Sequence, residues 1–423
     1  MSTTESRLSG VPLSRRSQQV RWLRVILFTS NGIATMAAIM VATVNPLVAA
    51  GISGAAAAGF PSAATLLGQA SSAVVWGRVT HSRGWRSGLT AGLLLGGLGL
   101  ALAAYGVLHA SMPTFLVGLF FAGTAFSVVT LSRFAAGEIV PTQLRARSIS
   151  FVVLGGTLGA VFGPILVTPL ARWSTSTFGS ELAGPYIGAS LLLLLGAGVI
   201  LGGLRPDPRQ ISGDGQPESA AAGQVGIRLA TVFGRPSVRL GTLSMVVGQL
   251  VMVMLMVITS LHMRDHGHVL GGIVAVISAH TVGMFAFSAV SGRLADRWGR
   301  VPVILAGSAT LLAAAVFAPI SSRLMPLSVS LFLLGFGWNL CFVGGSALFS
   351  DGVLPVERGR AQGVNDLLVN GASAVGSLAG GLIFAVAGFL TIALLGAALA
   401  LVPLMLALRL RVPAATTPAV HRI

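Results

Sequence analysis

Lysine is absent from this 423-residue chain: every one of its 27 basic residues is arginine, and only 11 acids oppose them. Charged residues together make up 9% of the sequence, too few to cover a soluble globule of this length. That scarcity excludes an ordinary water-soluble enzyme or binding module. Cysteine is almost missing, and the single Cys341 excludes an intramolecular disulfide and any paired-cysteine metal site. No carboxylate falls at the middle of a long apolar run, so the sequence sets no acid at the centre of a membrane.

What remains is overwhelmingly apolar, with 54% hydrophobic residues and a mean hydropathy of +0.87. Stretches long enough to cross a bilayer as helices fall at about 24–47, 52–77, 86–109, 113–138, 147–170, 184–204, 238–262, 269–292, 301–320, 326–350, 361–386 and 388–410. The expectation is an all-α, multi-pass membrane protein with twelve transmembrane helices. If both termini are cytoplasmic, all arginines except Arg133, Arg172, Arg264 and Arg323 fall on the cytoplasmic side, which is the positive-inside bias of a cytoplasmic (inner) membrane protein. A formal charge of +16 spread in this way is explained by topology and anionic membrane lipid, not by nucleic acid.

Residues 1–23 form a cytoplasmic N-terminal segment whose arginines read as a retained signal-anchor start. Residues 24–204 hold six spans and 237–411 hold six more. Between them, 205–236 is the one long polar connection, marked by Pro206, Pro208, Gly213, Gly215 and Pro217, and 412–423 is a cytoplasmic tail. The halves repeat. Ser291 to Arg300, reading SGRLADRWGR, follows the eighth span, and a degraded copy from Gly77 to Gly84 follows the second. Glu138 precedes Arg145 by the same seven residues that separate Asp351 from Arg358.

Two pairs in adjacent spans stand out, Met252-x-x-x-Met256 and His280-x-x-x-Met284. A spacing of four puts each pair on one helix face. Met252 lies thirteen residues after Arg239 and His280 thirteen before Arg293, so the pairs sit at similar depth. Thioethers with one imidazole suit Cu(I), while packing is the ordinary use of such methionines. His262, Met263, His266 and His268 in the following turn, and Cys341 beside Trp338 and Asn339, are possible auxiliary metal ligands. Their plainer reading is a solvated turn and a small core residue.

The Gly-x-Leu-Ala-Asp-Arg-x-Gly-Arg loop, the paired acid and arginine, and the six-plus-six layout resemble the major facilitator superfamily. The resemblance implies two pseudo-symmetric six-helix bundles that expose a central site to each side in turn. It also implies a cytoplasmic gate, and the residues that match are Gly77, Arg78, Arg83, Arg133, Glu138, Arg145, Gly292, Arg293, Asp296, Arg297, Arg300, Asp351 and Arg358. In the first copy His81 stands where the family has an acid, and Asp366, near the start of the eleventh span, is the expected substitute. No catalytic residue and no cofactor follows from any of this.

Within the superfamily, the Met and His motifs are similar to those of CcoA-type copper importers, which implies Met252, Met256, His280 and Met284 as a copper site, with copper as transported substrate. Riboflavin transporters of the RfnT type belong to the same branch. The polar residues Asn31, Thr35, Gln69, Gln249, Asn365 and Asn370 are what an organic solute such as riboflavin would use. The run Gly155-Gly156-x-x-Gly159-x-x-x-Gly163-Pro164 is similar to a signature of drug/proton antiporters, and its plainer reading is a closely packed, kinked helix. The sequence therefore predicts a secondary transporter with copper uptake foremost. Riboflavin import, drug-type efflux and a non-transporting membrane sensor are the alternatives.

Overall fold

The structure, a computed structural model, describes residues 13–141, 144–212, 229–354 and 356–409. The first twelve residues, the linker residues Gly213, Gly215 and Pro217 and the 412–423 tail lie outside the described residues. All regular structure among the described residues is helical.

The first half runs α1 (Leu13–Ser53), α2 (Phe60–Arg83), α3 (Trp85–Leu108), α4 (Met112–Glu138), α5 (Arg145–Phe178) and α6 (Ala183–Gly203), followed by the short α7 (Pro208–Ser212). The second half runs α8 (Leu229–Gly234), α9 (Pro236–Asp265), α10 (Leu270–Phe285), α11 (Ser288–Trp298), α12 (Arg300–Phe317), α13 (Leu324–Gly352) and α14 (Arg358–Arg409). Among the described residues, ten helical stretches are long and apolar enough to cross a membrane. The 24-residue α2 has the length but is diluted by Ser, Thr, Gln, His and Arg. The 52-residue α14 contains two spans, broken at Gly388 (φ 74°, ψ −179°), where the sequence puts the boundary. Counting α2, and α14 as two, recovers the twelve expected spans. The eighth span is itself interrupted, with α10 ending at Phe285 and α11 starting at Ser288.

The chain forms two compact units, residues 1–41 with 64–216, and residues 42–63 with 217–423. In the first, α5 lies directly on α1. At Gly159 a Cβ would stand 2.9 Å from the carbonyl carbon of Gly32 and 3.0 Å from the amide nitrogen of Met36. Small residues permit this approach where lipid supplies no hydrophobic force between helices. The glycine run that resembles an antiporter signature is thus, in this fold, a packing surface for α1. In the second unit, the end of α1 and the turn at Ala55–Gly59 pack with α14, where the Ser377 hydroxyl donates to the Gly59 carbonyl (3.1 Å).

Candidate functional site

Three helices of the second unit meet at Gln249. The Trp338 indole N–H of α13 donates to its Oε1 (2.7 Å), and its Nε2 donates to the Ser373 hydroxyl of α14 (2.7 Å). Trp338 stacks on Phe342 at 5.0 Å between ring centroids, and Phe285 meets it edge-on at 6.2 Å. Gln249 is half-buried on α9. A primary amide has two donors and two acceptor lone pairs, so after these bonds it still holds one N–H and one lone pair.

His280 is fully buried on α10. Its Nδ1–H donates to the Leu331 carbonyl of α13 (2.9 Å), which leaves the Nε2 lone pair without a partner among the described residues. A ring held this way is in the tautomer that a metal-bound imidazole adopts. Met252 is buried on α9, while Met256 and Met284 are half-buried. The α10 backbone at His280 and Met284 runs tightly along α13: a Cβ on Gly335 would press on the His280 carbonyl and stand 3.0 Å from the Met284 amide nitrogen. Among the described residues no three His, Cys, Asp or Glu side chains gather as a metal site.

The sequence profile of the Major Facilitator Superfamily matches residues 27–279 and 241–422. This chain belongs to the major facilitator superfamily. It is 36% identical over 371 residues to the uncharacterised MFS-type transporter YdeG of Bacillus subtilis, covering 85% of each chain. It is 31% identical over 334 residues to the riboflavin transporter RfnT of Brucella anthropi, covering 77% of this chain and 80% of that one. Among solved structures, the nucleoside transporter NupG superposes with a TM-score of 0.67 at 15% identity over 91% of this chain and 98% of that one, a likeness of fold. The chain is therefore a secondary transporter and not an enzyme.

The residues expected to form a gate take partners that the motif spacing does not give. Asp351 accepts from Arg300 Nε (2.9 Å), and Arg300 also lies 3.6 Å from Asp296. Glu138 accepts from the Trp85 indole (2.7 Å), and Arg133 is half-buried near the same helix end. Asp366 is held within its own helix, accepting from Gln362 Nε2 (2.8 Å), while its carbonyl accepts from Asn370 (2.8 Å). Arg78, Arg83, Arg145, Arg293, Arg297 and Arg358 are exposed. Gly77 and Gly292 have no described atom within 4 Å of where a Cβ would stand.

Of the other expected residues, Asn31 Nδ2 donates to the Val152 carbonyl of α5 (2.9 Å), and Gln69 is half-buried. Asn365 is buried with its Nδ2 on the Met245 sulfur (3.9 Å). His262 stacks on Phe389 (4.2 Å, 9°) and lies 4.2 Å from the His266 ring. The His268 Nε2–H donates to the Ser322 carbonyl (2.7 Å), Met263 is fully buried, and Cys341 is buried 3.7 Å from the Ser308 hydroxyl.

Sequence reasoning missed Trp338 and Ser373 as partners of Gln249, and Asn339 as a clip. Asn339 Nδ2 donates to the Met284 carbonyl (2.7 Å) and the Ser288 hydroxyl (2.8 Å), while its Oδ1 accepts from Ser291, so it ties the interrupted eighth span to α13. The signal available was a Trp-Asn pair inside an apolar span, where polar groups need partners. Glu357 was missed as well. It pairs with Arg235 through two contacts (2.6 and 2.9 Å), one residue before the arginine that the spacing picked out.

Proposed function

We propose that this transporter carries a small planar heteroaromatic solute with an amide-like edge, bound against Trp338 and Phe342 and read by Gln249. The observation that carries the reading is the amide itself. Its unused N–H and lone pair offer one donor and one acceptor, what the edge of a cyclic amide or imide calls for, and stacking on the indole supplies the apolar part of recognition. The likeness to RfnT supports riboflavin as the first compound to test. The arginine distribution supports a cytoplasmic-membrane location with both termini cytoplasmic.

Copper uptake is the second reading, favoured by one observation: the buried His280 ring with its Nε2 lone pair free. Met252, Met256 and Met284 would supply the soft ligands. No relative reported above is named for copper, so the organic solute comes first.

Proteoliposomes containing the purified chain decide between them. Riboflavin accumulation in wild type that falls at least about tenfold in Gln249→Ala supports the first reading, since unpaired polar groups at a recognition site are costly. Copper(I) accumulation that needs His280 and is indifferent to Gln249 sinks it and establishes the second.

A further inference from the structure

The ends of α2, α3 and α6, together with the short α7, border an open surface cavity of about 730 Å³ lined by Arg83, Arg86, Arg205 and Arg209, with Asp207 as its one acid. The volume lies within the roughly 300–1,000 Å³ of small-ligand sites. Four guanidiniums against one carboxylate leave a strong excess of positive charge, and the carboxylate is already engaged. Asp207 Oδ2 accepts the Arg86 backbone N–H (2.9 Å) at the start of α3, and its Oδ1 accepts the Arg209 N–H (3.2 Å). Gly84 makes the turn between α2 and α3 at φ 89°, and a Cβ there would stand 2.6 Å from Asp207 Oδ2.

Two of the arginines are directed by the fold. Arg86 Nε donates to the Leu201 carbonyl (3.0 Å), and Arg209 reaches the His81 ring at 2.9 Å. Arg83 and Arg205 are exposed, and their side chains have no hydrogen-bond or ion-pair partner among the described residues. The gate assignment for Arg83 does not explain this gathering, nor does riboflavin or copper recognition.

We propose that this cavity is a binding site for the phosphate headgroup of an anionic phospholipid. The chemistry required is a phosphodiester or phosphomonoester, for which guanidinium forks are suited donors, and basic pockets between transmembrane helices take such headgroups. A lipid is favoured over free phosphate by position. The cavity opens where the exposed apolar face of α6, with Leu191, Leu195 and Leu201, comes to its end. The exposed Trp22 donates its indole N–H to the Gly203 carbonyl (2.9 Å) at the same level, the place where membrane-interface tryptophans anchor. A headgroup seated on the arginines can keep its acyl chains on that face.

The test is a titration of the detergent-purified full chain with cardiolipin, read by native mass spectrometry as lipid retained per protein. The comparison set is wild type, Arg205→Gln, the double variant Arg83→Ala/Arg205→Ala and, as a surface-charge control, Arg409→Ala; thermal melting confirms that each is folded. The expected result is one saturable lipid. Affinity should fall about fivefold for each cavity arginine removed, remain unchanged in Arg409→Ala, and resist displacement by millimolar inorganic phosphate. Equal affinity in wild type and the double variant overturns the proposal. So does an Arg409→Ala loss as large as the cavity losses, which would mean diffuse attraction, and so does displacement by inorganic phosphate, which would make the occupant a free anion.

Discussion

Replacing Gly159 by alanine tests whether the glycine run of α5 is a packing surface. A Cβ there would meet the Gly32 carbonyl, with that residue's carbon at 2.9 Å and the Met36 nitrogen at 3.0 Å, whereas ordinary contact begins at 3.4 Å. All of these atoms are backbone, so no side chain can swing aside. The helices must separate by at least about half an ångström, which also loosens the neighbouring contact of Gly163, whose Cβ would stand 2.8 Å from the Met36 carbonyl oxygen. Overpacking of this kind costs about 1–3 kcal/mol. Alanine in a helix interior returns up to about 1 kcal/mol over glycine, so the reference is Gly198→Ala on the exposed face of α6, where nothing lies within 4 Å. The propensity gain is common to both variants, and their difference isolates packing at about 1–3 kcal/mol. Equilibrium unfolding in mixed micelles with increasing SDS, followed by tryptophan fluorescence, measures it. If Gly159→Ala and Gly198→Ala agree within about 0.5 kcal/mol, the close approach of α5 and α1 is refuted.

Other outcomes follow from named contacts. The hydrogen bond from Arg235 holds the Glu357 carboxyl below the usual glutamate range. Its stabilising contribution is therefore present above the ordinary value of about 4.3 and lost as pH falls through the lowered one. Thermal melts of wild type should drop below about pH 4 by more than those of Glu357→Gln; parallel profiles would dismiss the pair as a stabiliser. Asn339→Leu strips the partners from the Met284 carbonyl, Ser288 and Ser291, and should cost about 1–3 kcal/mol in the same SDS titration. A loss no larger than that of an exposed Asn370→Leu would show that the interrupted eighth span needs no clip.

The apolar runs alone located eight of the twelve spans to within about three residues and the first, second, fifth and eighth less closely, because only helices satisfy their backbone inside lipid and each needs about twenty residues to cross it. The repeat of the glycine-arginine loop and the seven-residue acid-arginine spacing led to the right superfamily. Partner choice was not legible. The spacing set Asp351 seven residues before Arg358 and named no partner for either; the fold gives Asp351 to Arg300 and gives Arg235 to Glu357. His280 was read with Met252, Met256 and Met284, and the spacing did not give the partner of its Nδ1, the Leu331 carbonyl of α13. Helical periodicity says which residues share a face of one helix, not which helix that face meets. Gln249, one polar residue among several, gained its standing only when Trp338 and Ser373, from helices 89 and 124 residues later, were found on its two ends.

By itself the sequence determined the solvent, the number of crossings, the family and its class of activity, since hydropathy, arginine placement and motif spacing act through local geometry. The tertiary structure decided which polar groups face one another. It put an amide beside an indole, left one imidazole nitrogen free, and gathered four arginines from α2, α3, the end of α6 and α7 at one cavity. In a chain with so few polar groups, the contacts that distinguish one substrate from another are made between residues distant in sequence. They exist only once the helices have packed.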